Sequence, residues 1–75
     1  MEKLVIVGLS ATSRLALSFV NSHKLFDVIG FAVNKQYKET DEFCNLPVFS
    51  LEDLNEEVGS DNFMVFVALL WNHRN

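Results

Sequence analysis

The sequence predicts an α/β domain of three layers around a small parallel sheet. Two observations carry this. Apolar runs rich in β-branched residues recur at Leu4–Val7, Val28–Val33 and Phe63–Leu70, and none of them alternates strictly. A parallel strand covered on both faces reads as an unbroken apolar run, whereas a strand with one wet face alternates. Helical patterns stand between the runs, and strands that alternate with helices form parallel sheets through right-handed crossovers.

The first run ends at Gly8. Ala11, Leu15, Ala16, Phe19 and Val20 then recur at steps of four, one and three, which makes one apolar helical stripe. Ser10 or Thr12 suits its N-cap. The stripe should end near Asn21–Lys24, where His23 and Lys24 meet the negative end of the helix dipole. After the second run, residues 34–45 are polar and charged, the expected flexible loop. Leu46-Pro47-Val48-Phe49 reads as a brief extended segment that Pro47 confines to an edge.

A second helix is signalled from Ser50. Ser50 suits the N-cap, Asp53 takes the capping-box position, Leu51, Leu54 and Val58 give a buried face, and Gly59 suits the C-terminal stop. Met64, Ala68, Leu69 and Leu70 in the third run favour helix. Its bounding segments, 59–62 and 71–73, favour a strand. The chain stops at Asn75, where a parallel strand would feed another helix. The expectation is a Rossmann-like unit over residues 1–75, an incomplete N-terminal domain.

Seventy-five residues make one domain at most, and so short a chain buries only about 60% of its unfolded surface. A hydrophobic content of 49% excludes a disordered chain. The net charge is −4, and the 6 Lys and Arg are scattered rather than clustered. Nucleic acid is therefore not an expected partner. Cys44 is single, so no internal disulfide forms. The first run is too short for a signal peptide or a membrane span, which leaves the cytoplasm as the expected location.

In open α/β sheets ligands bind beyond the carboxyl ends of the strands. The first such segment, Gly8-Leu9-Ser10-Ala11-Thr12-Ser13, is a strand-to-helix turn suited to a phosphate. It keeps only the first glycine of G-x-G-x-x-G, and the Ser10, Thr12 and Ser13 hydroxyls are alternative donors. Capping and turn formation account for these residues equally well. The second segment is Val33-Asn34-Lys35. A dinucleotide site wants Asp or Glu there for a ribose diol. The Asn34 amide both donates and accepts, which matches the edge of a pyrimidine, although turn formation also explains it. The third segment, Leu70–Asn75, gathers Trp71, Asn72, His73, Arg74 and Asn75, and Arg74 suits a phosphate. His23 and His73 lack companions at metal-ligand spacing, so no metal is expected. No nucleophile–base signature appears. Glu52-Asp53 and Glu56-Glu57 read as a solvated helix face.

Four blocks, residues 1–8, 27–31, 46–54 and 66–69 with Asn72 and Asn75, together resemble the N-terminal domain of bacterial sugar O-/N-acyltransferases (NeuD/PglD-like, the sialic acid O-acetyltransferase family). The resemblance spans essentially the whole chain and lies in the order and spacing of the blocks. It implies a domain that docks a UDP- or CMP-linked nucleotide sugar. It also implies a following left-handed β-helix domain that binds acetyl-CoA, carries the catalytic histidine and forms a homotrimer. This chain then holds no catalytic residue and no cofactor of its own. The substrate-binding positions it implies are Gly8, Ser10, Ala11, Thr12, Val33, Asn34, Leu70 and Asn72. Ala11, Thr12 and Ser13 stand where the family has Gly, His and Gly. Val33 and Asn34 replace two aspartates, and Leu70 replaces a glycine. Trp71, Asn72 and Asn75 match an aromatic-Asn-x-x-Asn variant. Two other readings remain open from the residues: an NAD(P)-type dinucleotide-binding domain, and a non-catalytic interaction or oligomerisation module.

Overall fold

A computed structural model describes residues 2–59 and 62–67. Strands β1 (Lys3–Val7), β2 (Asp27–Val33), β3 (Glu42–Phe43), β4 (Leu46–Ser50) and β5 (Phe63–Val67) form one sheet in the order β3-β4-β2-β1-β5. β1 runs parallel to β2 and β5, and β4 runs parallel to β2. Only β3 is antiparallel, to β4. The architecture is α/β with a mostly parallel five-stranded sheet, as the alternating runs predict.

Helix α1 (Ala11–His23) packs on one face and the short α2 (Leu54–Val58) on the other. Successive residues of a strand point to opposite faces, and β1 divides accordingly. Leu4 and Ile6 join Val20, Val28, Phe31 and Val48 beneath α1. Val5 joins Ala32 and Leu54, with Ile29, Phe49 and Val58 packed around them.

A bulge in β2 keeps these faces in phase. Leu4 pairs with Val28, but Val5 pairs with Gly30, so Ile29 is one residue too many. Were the strand to alternate regularly through Ile29 with no bulge, Phe31 would turn to the α2 face, because a one-residue slip inverts every side chain beyond it. Ile29 and Gly30 then share the α2 side. Glycine is required at the second position: a Cβ on Gly30 would stand 2.6 Å from Phe49 Cε2 and 2.7 Å from the Pro47 carbonyl oxygen.

Of the two expected N-caps for α1, the structure uses Ser10. Its backbone is extended (φ −136°, ψ 178°), and its Oγ accepts the Ser13 N–H at 3.4 Å. Ser13 Oγ accepts the Ser10 N–H at 3.3 Å, a capping box with serine in the place of Glu or Gln. The helix ends as expected at His23, with Lys24 left-handed (φ 53°) and its N–H donating to Asn21 O at 3.3 Å. Ser10→Ala should cost about 1 kcal/mol, the usual value of an N-cap. At this size that lowers Tm by roughly 4–8 °C, which a circular-dichroism melt reads. An unchanged Tm would show that the box carries no stability.

The buried face of α1 differs from the predicted stripe. Ser13, Ala16, Leu17 and Val20 meet the sheet, while Ala11 is exposed and Leu15 and Phe19 are 70% and 56% exposed. The apolar arc of α1 is wider than the sheet covers, and its centre lies to one side of the contact. The sequence shows the arc but not which part is occupied.

The polar stretch after β2 is built rather than loose. A 3-10 turn spans Lys35–Tyr37, and β3 and β4 form a hairpin through Cys44 and Asn45, both left-handed (φ 53° and 66°). Such two-residue hairpin turns require positive φ at both positions, and asparagine tolerates it. Lys38 Nζ donates to Asp41 Oδ1 at 2.9 Å, and that bond raises the lysine above its ordinary pKa. β4 is not an edge strand, since β3 lies outside it. Pro47 is tolerated because the ladder to β2 begins only at Val48, whose own N–H donates to Asp41 O at 2.9 Å. Phe43 on β3 lies edge-on to Phe31 (centroids 5.0 Å apart), and the Arg14 guanidinium covers the Phe43 ring at 5.6 Å.

The second helix also departs from expectation. Ser50 is the last residue of β4, its side chain caps nothing, and a 3-10 turn (Leu51–Asp53) precedes α2. Asp53 makes no side-chain cap either. Gly59 closes α2 with φ 99° and donates its N–H to Asn55 O at 2.9 Å. β5 confirms a strand for the described part of the third run, Phe63–Val67; residues 68–70 lie outside the described residues. It is not covered, however: residues 64–67 are 46–54% exposed. Among the described residues no helix is long and apolar enough to cross a membrane.

Candidate functional site

Strand order reverses at β1. The chain moves from β1 to β2 and β4 on one side, then returns to β5 on the other. Crevices in open α/β sheets lie beyond the carboxyl ends of strands at such a reversal. The crevice here is bordered by Gly8 after β1, Asn34 after β2 and Ser50 at the end of β4.

Gly8 has φ 114°, which side-chain-bearing residues rarely adopt, and its N–H donates to Ala32 O at 2.9 Å. It extends the β1–β2 ladder, so that N–H does not face a ligand. The two serine hydroxyls are also engaged. Ser10 and Ser13 Oγ lie 3.5 Å apart, and Ser13 is fully buried. What the turn offers an anion is therefore backbone. The N–H groups of Ala11 and Thr12 lie in the first turn, where a helix has no carbonyl of its own to receive them. Ala11 is exposed and Thr12 half-buried, and the Thr12 side chain lines a groove toward β5.

Val33 is half-buried and packs into the core beneath α1, so its side chain supports the crevice from below. Asn34 is exposed; its carbonyl accepts the Tyr37 N–H at 2.8 Å, and its side-chain amide caps nothing. Leu70 and Asn72, with Trp71, Arg74 and Asn75, lie outside the described residues.

The acidic residues read as a solvated face do more than that. Glu52 Oε1 accepts the Lys35 N–H at 2.8 Å, and Asp53 Oδ2 lies 3.2 Å from Lys35 Nζ. Glu57 Oε1 accepts the Ser50 N–H at 3.3 Å. Glu52 and Asp53 fasten the segment after β4 to the end of β2, and Glu57 ties α2 back to the end of β4. Glu52 and Asp53 also bring acidity to the end of β2, although β2 itself ends in Val33, with Asn34 next. The sequence hides this because Glu52 lies 17 residues from Lys35. Only the parallel pairing of β2 with β4 joins them.

The crevice is thus electrostatically divided. Its α1 side is a helix N-terminus with a partial positive charge. Its β2–β4 side carries carboxylates, of which Lys35 balances one. Among the described residues no group of three His, Cys, Asp or Glu side chains could hold a metal ion.

A separate concavity lies between α1 and β5. It measures about 510 Å³ and is walled by Leu15, Phe19 and Leu25 and floored by Leu4, Met64 and Phe66. Its lining is mostly apolar, and among the described residues it includes no charged side chain. No family model, curated protein or solved structure matches the chain.

Proposed function

We propose that the chain is a Rossmann-like substrate-docking domain of a sugar O-/N-acyltransferase, and that it holds a UDP- or CMP-linked nucleotide sugar over the ends of β1 and β2. The reversal of strand order at β1 carries this reading, because it opens the crevice where the turn into α1 presents its free N–H groups. A phosphate of the ligand meets Ala11 N–H and Thr12 N–H. The base or ribose meets the Asn34 amide. The carboxylate-rich side suits a hydroxyl-bearing group, since hydroxyls donate and carboxylates accept. Acetyl transfer, acetyl-CoA and trimer formation belong, on this reading, to the β-helix domain that the resemblance implies.

The same features disfavour a dinucleotide. Ser10 stands where a second glycine would admit the pyrophosphate, and its hydroxyl is tied into the cap.

Calorimetry with UDP- and CMP-linked sugars tests the proposal. Binding heat is expected, and Asn34→Ala should weaken it about tenfold, or ~1.4 kcal/mol, at an unchanged Tm. No heat from either nucleotide sugar at millimolar concentration would sink the docking role. Heat from NAD(P)H instead would favour a redox domain.

A further inference from the structure

We infer that Tyr37 is a stacking platform for the base of the nucleotide, and that the turn it closes, residues 34–37, reads that base by face and by edge. The inference rests on the docking reading above. It assigns the end of β2 to a pyrimidine base rather than to the ribose.

The turn is braced from several sides. The Tyr37 N–H donates to Asn34 O at 2.8 Å, and the Lys38 N–H donates to Lys35 O at 3.2 Å. Glu52 Oε1 accepts the Lys35 N–H at 2.8 Å, and Asp53 Oδ2 lies 3.2 Å from Lys35 Nζ. Lys35 is thus fixed through both its main chain and its side chain. Just beyond the turn, Lys38 Nζ donates to Asp41 Oδ1 at 2.9 Å. The side chains at the two ends of the turn take no part in this bracing. Tyr37 is 65% exposed, and Asn34 is also exposed. Among the described residues neither the Tyr37 ring nor the Asn34 amide has a hydrogen-bond or ring partner. On a loose loop an exposed ring folds back onto apolar surface. On a braced turn it stays out, and a ligand that meets it loses little free energy in ordering the protein.

A pyrimidine base matches this pair of side chains. Its faces are π surfaces, and such surfaces stack on aromatic side chains. Its edge carries a donor beside an acceptor, and the Asn34 amide offers an acceptor and a donor in return. The two ends of a hydrogen-bonded turn lie within about 7 Å of each other, so one flat base can reach both. Charge orients the ligand. Glu52 and Asp53 stand at this end of the crevice, where they repel a phosphate, and the base is the uncharged part of a nucleotide. The phosphate belongs on the other side, at the partial positive charge of the α1 N-terminus. A ribose has hydroxyls for the Asn34 amide but no π face for Tyr37, which is why the base takes this end.

Calorimetry with UDP and with CMP tests this, with ribose 5-phosphate as the control that lacks a base. At least one nucleotide should bind, and ribose 5-phosphate should bind roughly tenfold more weakly or give no heat. Tyr37→Ala should weaken the nucleotide about tenfold and leave any binding of ribose 5-phosphate unchanged. Tyr37→Phe should stay within about twofold of the unaltered chain, because the ring and not the hydroxyl stacks. Neither substitution should move Tm, since the ring is exposed. In proton NMR the pyrimidine ring protons should shift upfield on binding, and Tyr37→Ala at saturation should remove most of that shift. Tyr37→Ala binding both nucleotides as tightly as the unaltered chain would overturn the inference and leave the docking reading standing. Nucleotide-linked sugars that bind while UDP and CMP do not would do the same. An equal loss for ribose 5-phosphate would also overturn it, because Tyr37 would then shape the turn rather than meet the base. If UDP, CMP and their linked sugars all give no heat at millimolar concentration, the docking reading fails first and this inference with it.

Discussion

Phe31→Ala should cost about 3–5 kcal/mol, the usual cost of emptying a buried phenylalanine site. Phe31 is fully buried, and it is among the largest side chains with no exposure at all. It contacts the α1 core on one side and the Phe43 ring, edge-on, on the other. A chain of this length has a total stability of about 4–11 kcal/mol, so the variant stands at or near the unfolding threshold. In urea, with a slope of roughly 1 kcal/mol per molar for a small domain, the midpoint should fall by several molar or the folded baseline should vanish. A loss below about 1 kcal/mol would mean that Phe31 is not the centre of the core. Phe31→Ala and Phe43→Ala together should cost less than their sum. The shortfall should be about 0.5–1.5 kcal/mol, the interaction of an edge-to-face pair.

Gly30→Ala should also be damaging, although it adds one carbon. The new Cβ would lie 2.6 Å from Phe49 Cε2 and 2.7 Å from the Pro47 carbonyl oxygen. The phenyl ring is a side chain and can shift about its own bonds. The carbonyl is backbone of β4 and moves only with the strand. The expected loss is about 1–3 kcal/mol, the cost of overpacking, and it should appear as a lower urea midpoint. Phe49→Leu in the same chain would relieve the ring contact alone. Partial recovery is therefore expected, and full recovery would show that the carbonyl contact is harmless. An unchanged midpoint in Gly30→Ala would mean that β2 does not approach β4 this closely.

These two positions show what the sequence discloses. Val-Ile-Gly-Phe-Ala-Val reads as a covered strand, and it is one. The bulge at Ile29 is silent, because a run without alternation gives no parity to break. Only pairing with β1 reveals that Phe31 and Val28 share a face. The cap at Ser10 is legible because it is local, with donor and acceptor three residues apart. Glu52 with Lys35 is not, because 17 residues and a strand pairing separate them. Pro47 was expected to mark an edge. It marks the start of β4, since a two-residue strand too short to show in any pattern lies outside it. The crevice follows the same rule. Gly8, Ser10 and Asn34 fall at strand ends as the apolar runs predict. Which of their polar groups are already spent could be read only from the hydrogen bonds.

The brevity of β3 has a further consequence. A long exposed edge strand is a template on which another chain can pair, and a very short one is not. At its border of the sheet β3 contributes two residues, Glu42 and Phe43, set against Pro47 and Leu46. A newcomer would find a carboxylate and almost no backbone to pair with. The β3 border is thus closed to strand addition by its own brevity, and the chain's topology acts as the stopper there.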